Sequence, residues 1–423
     1  MKEARPQTLR RTITAGISGN VMEWYDFAVY GYFAAILGTQ FFPSDNPVTS
    51  LIASYGAFAA GFISRPLGGV IFGHIGDRIG RKAVLMVSVL MMGTATFVIG
   101  VLPGHAEIGI AAPILLISMR ILQGLSVGGE YSGSIAFVAE HSPLKRRGFL
   151  TSWVSMGSIL GFVLGAGSAA LLTGVLDEEA MQSWGWRLPF LAGIFIALGA
   201  FWLRRQVEEP PVDDDAIVAE GVPFIAAFRV EWRGMLQVMG LALSVNVTFY
   251  LMFVYAATYL NQHMHVSSQA AMDINTGCLV VMCMVIPLSG WVTDRWGRKP
   301  VALIGVLSLL FFSYPLFWVM NHSNLDLVLL GQLGFAVIIG WIYGVNPAMQ
   351  VELLSRSVRI SAFSISYNVT LAVFGGTAPI VATYLVSRTS DDFIPAYYVM
   401  GLAVLSLIAV LSAKETKGQP LKP

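Results

Sequence analysis

Five ionisable residues lie inside apolar stretches of this sequence. They are Glu23 and Asp26 in GNVMEWYDFAVYGY, Arg65 in SRPLGG, and Arg120 and Glu130 in MRILQGLSVGGEYSG. Charged groups at that depth in hydrocarbon are costly, so each marks a functional position whose partner has to be named. Glu23 and Asp26 are i,i+3 and share one helical face, which Tyr30 continues. Two carboxylates so close in a low dielectric do not both ionise cheaply, an arrangement suited to a proton carrier. The alternative is that each acid neutralises an arginine on another helix. Both readings stand for Asp26, which is nearer mid-membrane; for Glu23 the structural reading is preferred.

At roughly 100° per residue, Gln123, Val127, Glu130 and Tyr131 fall on one broad helical face with Arg120, and Gly124, Gly128 and Gly129 thin that helix. Arg120 suits clamping a substrate carboxylate through its planar donor fork. It equally suits holding a coupling acid ionised, with a plain salt bridge to Asp26 or Glu130 as the simpler role. Glu130 is a second proton-site candidate. Arg65 reads as an inner gate or a second carboxylate clamp.

Most of the aromatics Trp24, Tyr25, Tyr30, Tyr131, Trp153, Tyr250, Tyr255 and Tyr367 read as packing or interfacial anchors. Tyr30, Tyr131 and Tyr250 lie beside polar positions well inside apolar stretches, where ring faces hold a quaternary ammonium at ~0.5–2 kcal/mol per contact. The second half offers Asn246, Ser364 and Asn368 but no mid-span charge, so it is expected to supply neutral hydrogen bonds. The expected substrate-binding set is therefore Arg65, Arg120, Tyr30, Gln123, Tyr131, Trp153, Asn246, Tyr250 and Asn368. The expected proton-coupling set is Asp26, Glu23, Arg120 and Glu130.

These residues must be positioned by membrane helices. The chain of 423 residues is 55% hydrophobic and only 12% charged, with a mean hydropathy of +0.68; soluble domains are about a quarter charged. Apolar segments long enough to span a bilayer recur at 13–39, 50–75, 83–103, 109–137, 149–174, 186–205, 236–260, 270–292, 300–320, 325–346, 358–387 and 395–413. Helices are expected, since every backbone polar group has to be satisfied within lipid and no barrel-type alternation is sustained. The net charge of +1 gives no sign of a nucleic-acid partner. Cys278 and Cys283 are not placed to face each other, and no histidine pairs with cysteine or acids at metal-ligand spacing, so no metal or cofactor is expected. The basic N-terminus lacks a cleavage site and reads as a cytoplasmic leader.

Lysines and arginines alternate between loops. They gather before the first span, between spans two and three and spans four and five, in the central linker, after spans eight and ten, and in the tail. SDNP, LDEEA, NHSN and SRTSDDF lie on the other side. The positive-inside rule then places both termini in the cytoplasm. The polar stretch from Arg204 divides the chain into 1–205, a cytoplasmic linker 206–235, and 236–423.

A repeat supports that division. GHIGDRIGRK from Gly73 and GWVTDRWGRK from Gly290 share G-x-x-x-D-R-x-G-R-K, each between the second and third spans of its half. Gly73, Asp77, Arg78, Gly80 and Arg81, with Gly290, Asp294, Arg295, Gly297 and Arg298, form an expected cytoplasmic gate. The aspartates are suited to accept from a helix end or from nearby arginines.

The paired motif resembles the loop motif of the major facilitator superfamily, and MRILQG resembles that superfamily's fourth-helix R-x-x-Q-G. GNVMEWYDFAVYG, SRPLGGVIFGHIGDRIGRK, QGLSVGGEYSG, WGWRLPF and KETKGQPL extend the likeness to the metabolite:proton symporter branch, across nearly the whole chain. Within it, GSILGFVLGAG, NVTFY at Asn246 and AYYVM at Ala396 look most like the proline/glycine-betaine symporters. The chain stops soon after span twelve, without the C-terminal coiled coil of the osmosensory members, so that mode of regulation is not expected.

The resemblance implies an all-α integral membrane protein with twelve transmembrane helices in two pseudo-symmetric six-helix bundles, a monomer in a bacterial inner membrane. It implies a secondary symporter moving a small polar metabolite with protons by alternating access. A zwitterionic compatible solute is the leading substrate, a di- or tricarboxylate or a shikimate-like acid the second. It also ties the motif arginine, Arg120, to proton transfer. A membrane enzyme would need a nucleophile–base or histidine–acid constellation inside the spans, and none is present in the sequence.

Overall fold

Asn46 accepts a hydrogen bond from the Val48 amide at 2.9 Å, with Pro47 at the first helical position, and so fixes where one long helix begins. Ser267 and Asn324 cap two later helices in the same way, accepting from the Ala270 and Asp326 amides. The computed structural model describes residues 6–69, 71, 81–205, 223–264 and 266–422. Each of the twelve expected apolar segments corresponds to a helix among them.

These are α1 (Pro6–Tyr32, continued by Ala34–Phe41), α2 (Pro47–Gly69), α3 (Arg81–Val101), α4 (Ala111–His141), α5 (Leu144–Val175) and α6 (Arg187–Arg205). The second half follows with α7 (Pro223–Tyr250, then a π turn Leu251–Tyr255 and Ala256–Met264), α8 (Ser268–Trp296) and α9 (Arg298–Met320). It ends with α10 (Leu325–Glu352), α11 (Arg359–Thr389) and α12 (Ile394–Ser412). Among the described residues nine helices are individually long and apolar enough to cross a membrane, and ten when α6 is joined to the bent segment before it. The apolar stretch described for α3 is shorter, Met86–Val101. α1 carries Asn20, Glu23 and Asp26 buried along its length.

In the first half α5 packs on α1, α6 on α3, and α4 on α2 and α3. In the second, α10 packs on α8 and α9, and α12 on α7 and α9. The halves meet where α5 lies along α8 and where α2 and α4 meet α11. The burial pattern is that of a multi-pass membrane protein: Phe195, Phe311, Trp318 and Ile408 face outward, while arginines and acids are enclosed. Four helices that line the interior are irregular. α1 breaks at Phe33, α4 at Gly128–Gly129, and α7 and α11 each carry a π turn, at Leu251–Tyr255 and Leu371–Gly375. Such turns free backbone groups and re-aim side chains, and they concentrate at functional sites.

Candidate functional site

The glycines of α4 bring its backbone onto α2. A Cβ at Gly124 would lie 1.9 Å from the Gly61 carbonyl oxygen, and one at Gly128 would lie 2.1 Å from the Arg65 carbonyl oxygen. Only glycine permits this approach. It draws Arg65 and Arg120 inward against α1, where both are fully buried.

Asp26 sits at the centre of a closed polar cluster. Its carboxylate accepts from Thr96 Oγ1 at 2.5 Å, Gln123 Nε2 at 2.7 Å and Arg120 Nη1 at 3.2 Å. Gln123 returns to Arg120, its Oε1 accepting from Nη1 at 2.7 Å. The Arg120 guanidinium also lies 4.5 Å from the ring centroids of Phe27 and Tyr30. Its Nε and Nη2 donate to no acceptor among the described residues.

Glu23 has a separate partner, Arg65, in a second buried ion pair. The two acids of α1 therefore do not share one charge environment: each is offset by its own arginine, which weakens the like-charge argument drawn from their i,i+3 spacing. Arg65 packs over Trp24, Phe27 and Phe62, and its Nε and Nη1 lack an acceptor among the described residues. Glu130 opens the second part of α4 beyond the Gly128–Gly129 break, so the regular helical face expected from Arg120 to Tyr131 is interrupted. Glu130 and Glu23 line one small pocket with Ser88 and Met92.

Aromatic rings fill the space between the halves. Tyr250 contacts Phe58, Phe62 and Phe162, and its hydroxyl has no hydrogen-bond partner among the described residues. Tyr30 donates to the Ser54 carbonyl at 3.1 Å. Tyr131 stacks on Tyr367 with centroids 4.6 Å apart. Asn368 donates at 2.5 Å, and Ser364 at 2.9 Å, to the Gly128 carbonyl exposed by the break in α4. Asn246 accepts from the Tyr343 hydroxyl at 2.9 Å. Trp153 stands apart from this group; it is half-buried and packs edge-on against Phe149 near the start of α5.

Of the repeated G-x-x-x-D-R-x-G-R-K motif, Gly73, Asp77, Arg78 and Gly80 lie outside the described residues, and of Arg81 only its place at the start of α3 is described. In the second copy, Asp294 accepts from the Gly148 and Phe149 amides at 2.9 and 2.8 Å, and from Arg298 Nη1 at 2.9 Å. It thus binds both a helix end of the other half and an arginine of its own. Gly290 lets α8 meet α5, since a Cβ there would be 2.4 Å from Ser152 Oγ. Gly297 has φ +111°, a conformation other residues rarely adopt. Arg295 lies over the Trp291 ring.

Glu352 joins the halves, accepting from Arg298 Nη2 at 3.0 Å and from Arg147 Nη1 at 2.9 Å. Arg359 pairs with Glu140 at 2.7 Å. The tail laces over these groups. Glu415 accepts from the Arg298 and Lys299 amides, Thr416 Oγ1 donates to Glu352 at 2.5 Å, and the Gln419 and Lys422 carbonyls accept from Arg147 and Arg359. At the opposite end Asn275 donates to Tyr32 at 2.9 Å, and Gln332 braces Asn275 and the α7 π turn. Both ends of the interior are bridged, and Asp26, Arg65 and Arg120 have no exposure.

Sequence reasoning missed Thr96, Glu352, Tyr343 and the tail contacts. A threonine or tyrosine in an apolar helix gives no signal of its own. Glu352, an acid at the C-terminal end of span ten beside the second motif's arginine, is the legible one.

Residues 12–212 match the family model described as "Sugar (and other) transporter", and residues 238–423 the one described as "Major Facilitator Superfamily". The "Glycine betaine/proline/ectoine/pipecolic acid transporter OusA" of Dickeya dadantii is 40% identical over 98% of this chain and 85% of that protein. The "Proline/betaine transporter" of Escherichia coli K12 is 38% identical over the same shares. The "Putative proline/betaine transporter" of Staphylococcus aureus COL is 35% identical over 98% of this chain and 90% of its own. Among solved structures, the proton:xylose symporter XylE bound to 6-bromo-6-deoxy-D-glucose superposes with a TM-score of 0.79. It is 18% identical and covers 99% of this chain and 98% of its own.

Proposed function

The chain belongs to the major facilitator superfamily, a family of transporters and not enzymes; on that premise we propose that it is a proton-coupled symporter importing a zwitterionic compatible solute such as proline or glycine betaine. The observation that carries the coupling is the Asp26 cluster. A carboxylate sealed from water beside one arginine, one glutamine and one threonine is a proton acceptor whose charge state the whole site senses. Protonation of Asp26 cancels its pull on Arg120, leaving that guanidinium a net positive charge in an aromatic surround. A substrate carboxylate drawn between Arg120 and Arg65, which flank the same Phe27 ring, then offsets that charge, so proton and solute favour each other's binding. The relatives' names support the solute class, and the aromatic rings beside two arginines fit a molecule carrying both charges.

In this reading the halves 1–205 and 236–423 rock about the site, joined by the cytoplasmic linker 206–235. The clasp around Glu352 and the Tyr32–Asn275 bridge open in turn. The protein works as a monomer in a bacterial inner membrane with both termini cytoplasmic.

Proteoliposomes with an inward proton gradient test this. Labelled proline or betaine should accumulate above equilibrium and be released by a protonophore. Accumulation that survives collapse of the gradient would refute proton coupling. A second reading, symport of a di- or tricarboxylate such as citrate or 2-oxoglutarate, is favoured by the two unpartnered buried donors on each of Arg65 and Arg120. Uptake of citrate or 2-oxoglutarate without uptake of the zwitterions would select it.

A further inference from the structure

Between α1, α4, α5, α7, α10 and α11 lies a small pocket walled by Trp24, Tyr131, Phe162, Phe249, Tyr343 and Tyr367. Among the described residues its other polar lining side chains are Ser155 and Ser158, and no charged or amide side chain lines it. The hydroxyls around it are already engaged. Tyr131 and Ser155 share a hydrogen bond at 3.0 Å, Tyr343 donates to Asn246, and Ser158 donates to the Val154 carbonyl at 3.5 Å. The chamber therefore presents rings rather than acceptors.

That wall discriminates between ammonium groups. An ammonium with N–H bonds gives up water hydrogen bonds on entry and finds few acceptors to replace them, which is costly for a buried donor. A quaternary ammonium has no N–H to leave unpaired, and its charge is spread over methyl groups that ring faces attract. Arg65 stands against the Trp24 wall, its guanidinium carbon 5.2 Å from the ring centroid, with Nε and Nη1 unpartnered among the described residues. The Tyr250 hydroxyl is unpartnered too, and the Tyr250 ring meets Phe162 and Phe249 of the chamber.

We propose that this chamber is the cation subsite of the substrate site, that Arg65 and Tyr250 receive the carboxylate, and that Tyr131, Tyr343 and Tyr367 select N-methylated zwitterions over those bearing N–H. The proposal rests on the zwitterion reading above and sharpens it to a substrate class.

The test is thermal stabilisation of the purified full chain in nanodiscs, titrated with glycine, sarcosine, N,N-dimethylglycine and glycine betaine. Apparent affinity should climb with each methyl, by about tenfold or more from end to end. Tyr367→Leu should flatten the series and Tyr367→Phe should restore it. A flat or falling wild-type series, with betaine still bound, overturns the subsite while leaving the zwitterion reading intact. Stabilisation by citrate with none by any member of the series overturns that reading itself. Should Tyr367→Leu fail to fold, the wild-type series alone decides.

Discussion

Asp26 and Arg120 are tied twice, once directly at 3.2 Å and once through Gln123, which donates to the acid and accepts from the arginine at 2.7 Å each. The indirect tie survives when the direct one is weakened. Neutralising Asp26 therefore changes the charge that Arg120 presents without releasing its side chain.

Asp26→Asn keeps the shape of the cluster and removes its titration. It should abolish uphill uptake driven by a proton gradient while solute exchange between preloaded vesicles continues. Counterflow and gradient-driven uptake, measured on the same preparation, separate the two. Unchanged accumulation would remove Asp26 from coupling.

The Glu23–Arg65 pair is enclosed, and removing one partner of such a pair strands a buried charge at a cost of about 3–5 kcal/mol. Glu23→Gln should accordingly lower the melting temperature sharply. The double change Glu23→Gln with Arg65→Met should recover most of the loss, because no lone charge remains. A double variant no better than the single would show that the ion pair is not what the site needs.

Adjacent glycines at the break in α4 should behave differently. A Cβ at Gly128 would meet the Arg65 carbonyl oxygen and the Gly69 amide at 2.1 and 2.4 Å, whereas one at Gly129 meets nothing within 4 Å. Gly128→Ala should cost about 1–3 kcal/mol or more, and Gly129→Ala close to nothing. Melting of the two purified variants in one detergent compares them directly.

Glu415 supplies the pH dependence. Burial pulls its carboxyl up, but the Arg298, Lys417, Lys299 and Thr416 amides outweigh that and hold it below its ordinary value of 4.5. A group depressed in the folded state stabilises fully above its unfolded pKa, and the contribution disappears as pH falls through the folded one. Glu415→Gln should therefore melt below the wild type at pH 7, with the gap closing as pH drops under 4.5. A gap that persists in acid would mean the side chain acts by shape rather than charge.

The sequence carried the twelve segments because lipid imposes one rule on every residue of a span, and that rule leaves a long apolar run. It also carried Asp26 with Arg120, since a charge in such a run stands out and few opposite charges are available to answer it. Glu23 was harder: its partner depended on how closely α2 approaches α1, which no residue type records. The break at Gly128–Gly129 and the π turns were not legible either, because local backbone deviation is set by the neighbours packed against it. Tyr343 and Tyr367 had no signal beyond being aromatic among many aromatics. Asp294 was legible through repetition, as its motif appears twice in register.

The tail holds Arg147 and Arg359 with the carbonyl oxygens of Gln419 and Lys422 rather than with their side chains. That stretch of the fastening is spelled in main-chain atoms, which every residue possesses. For these two contacts chain length matters more than residue type, so inserting or deleting one residue between Thr416 and Gln419 should disturb them more than replacing the Gln419 side chain.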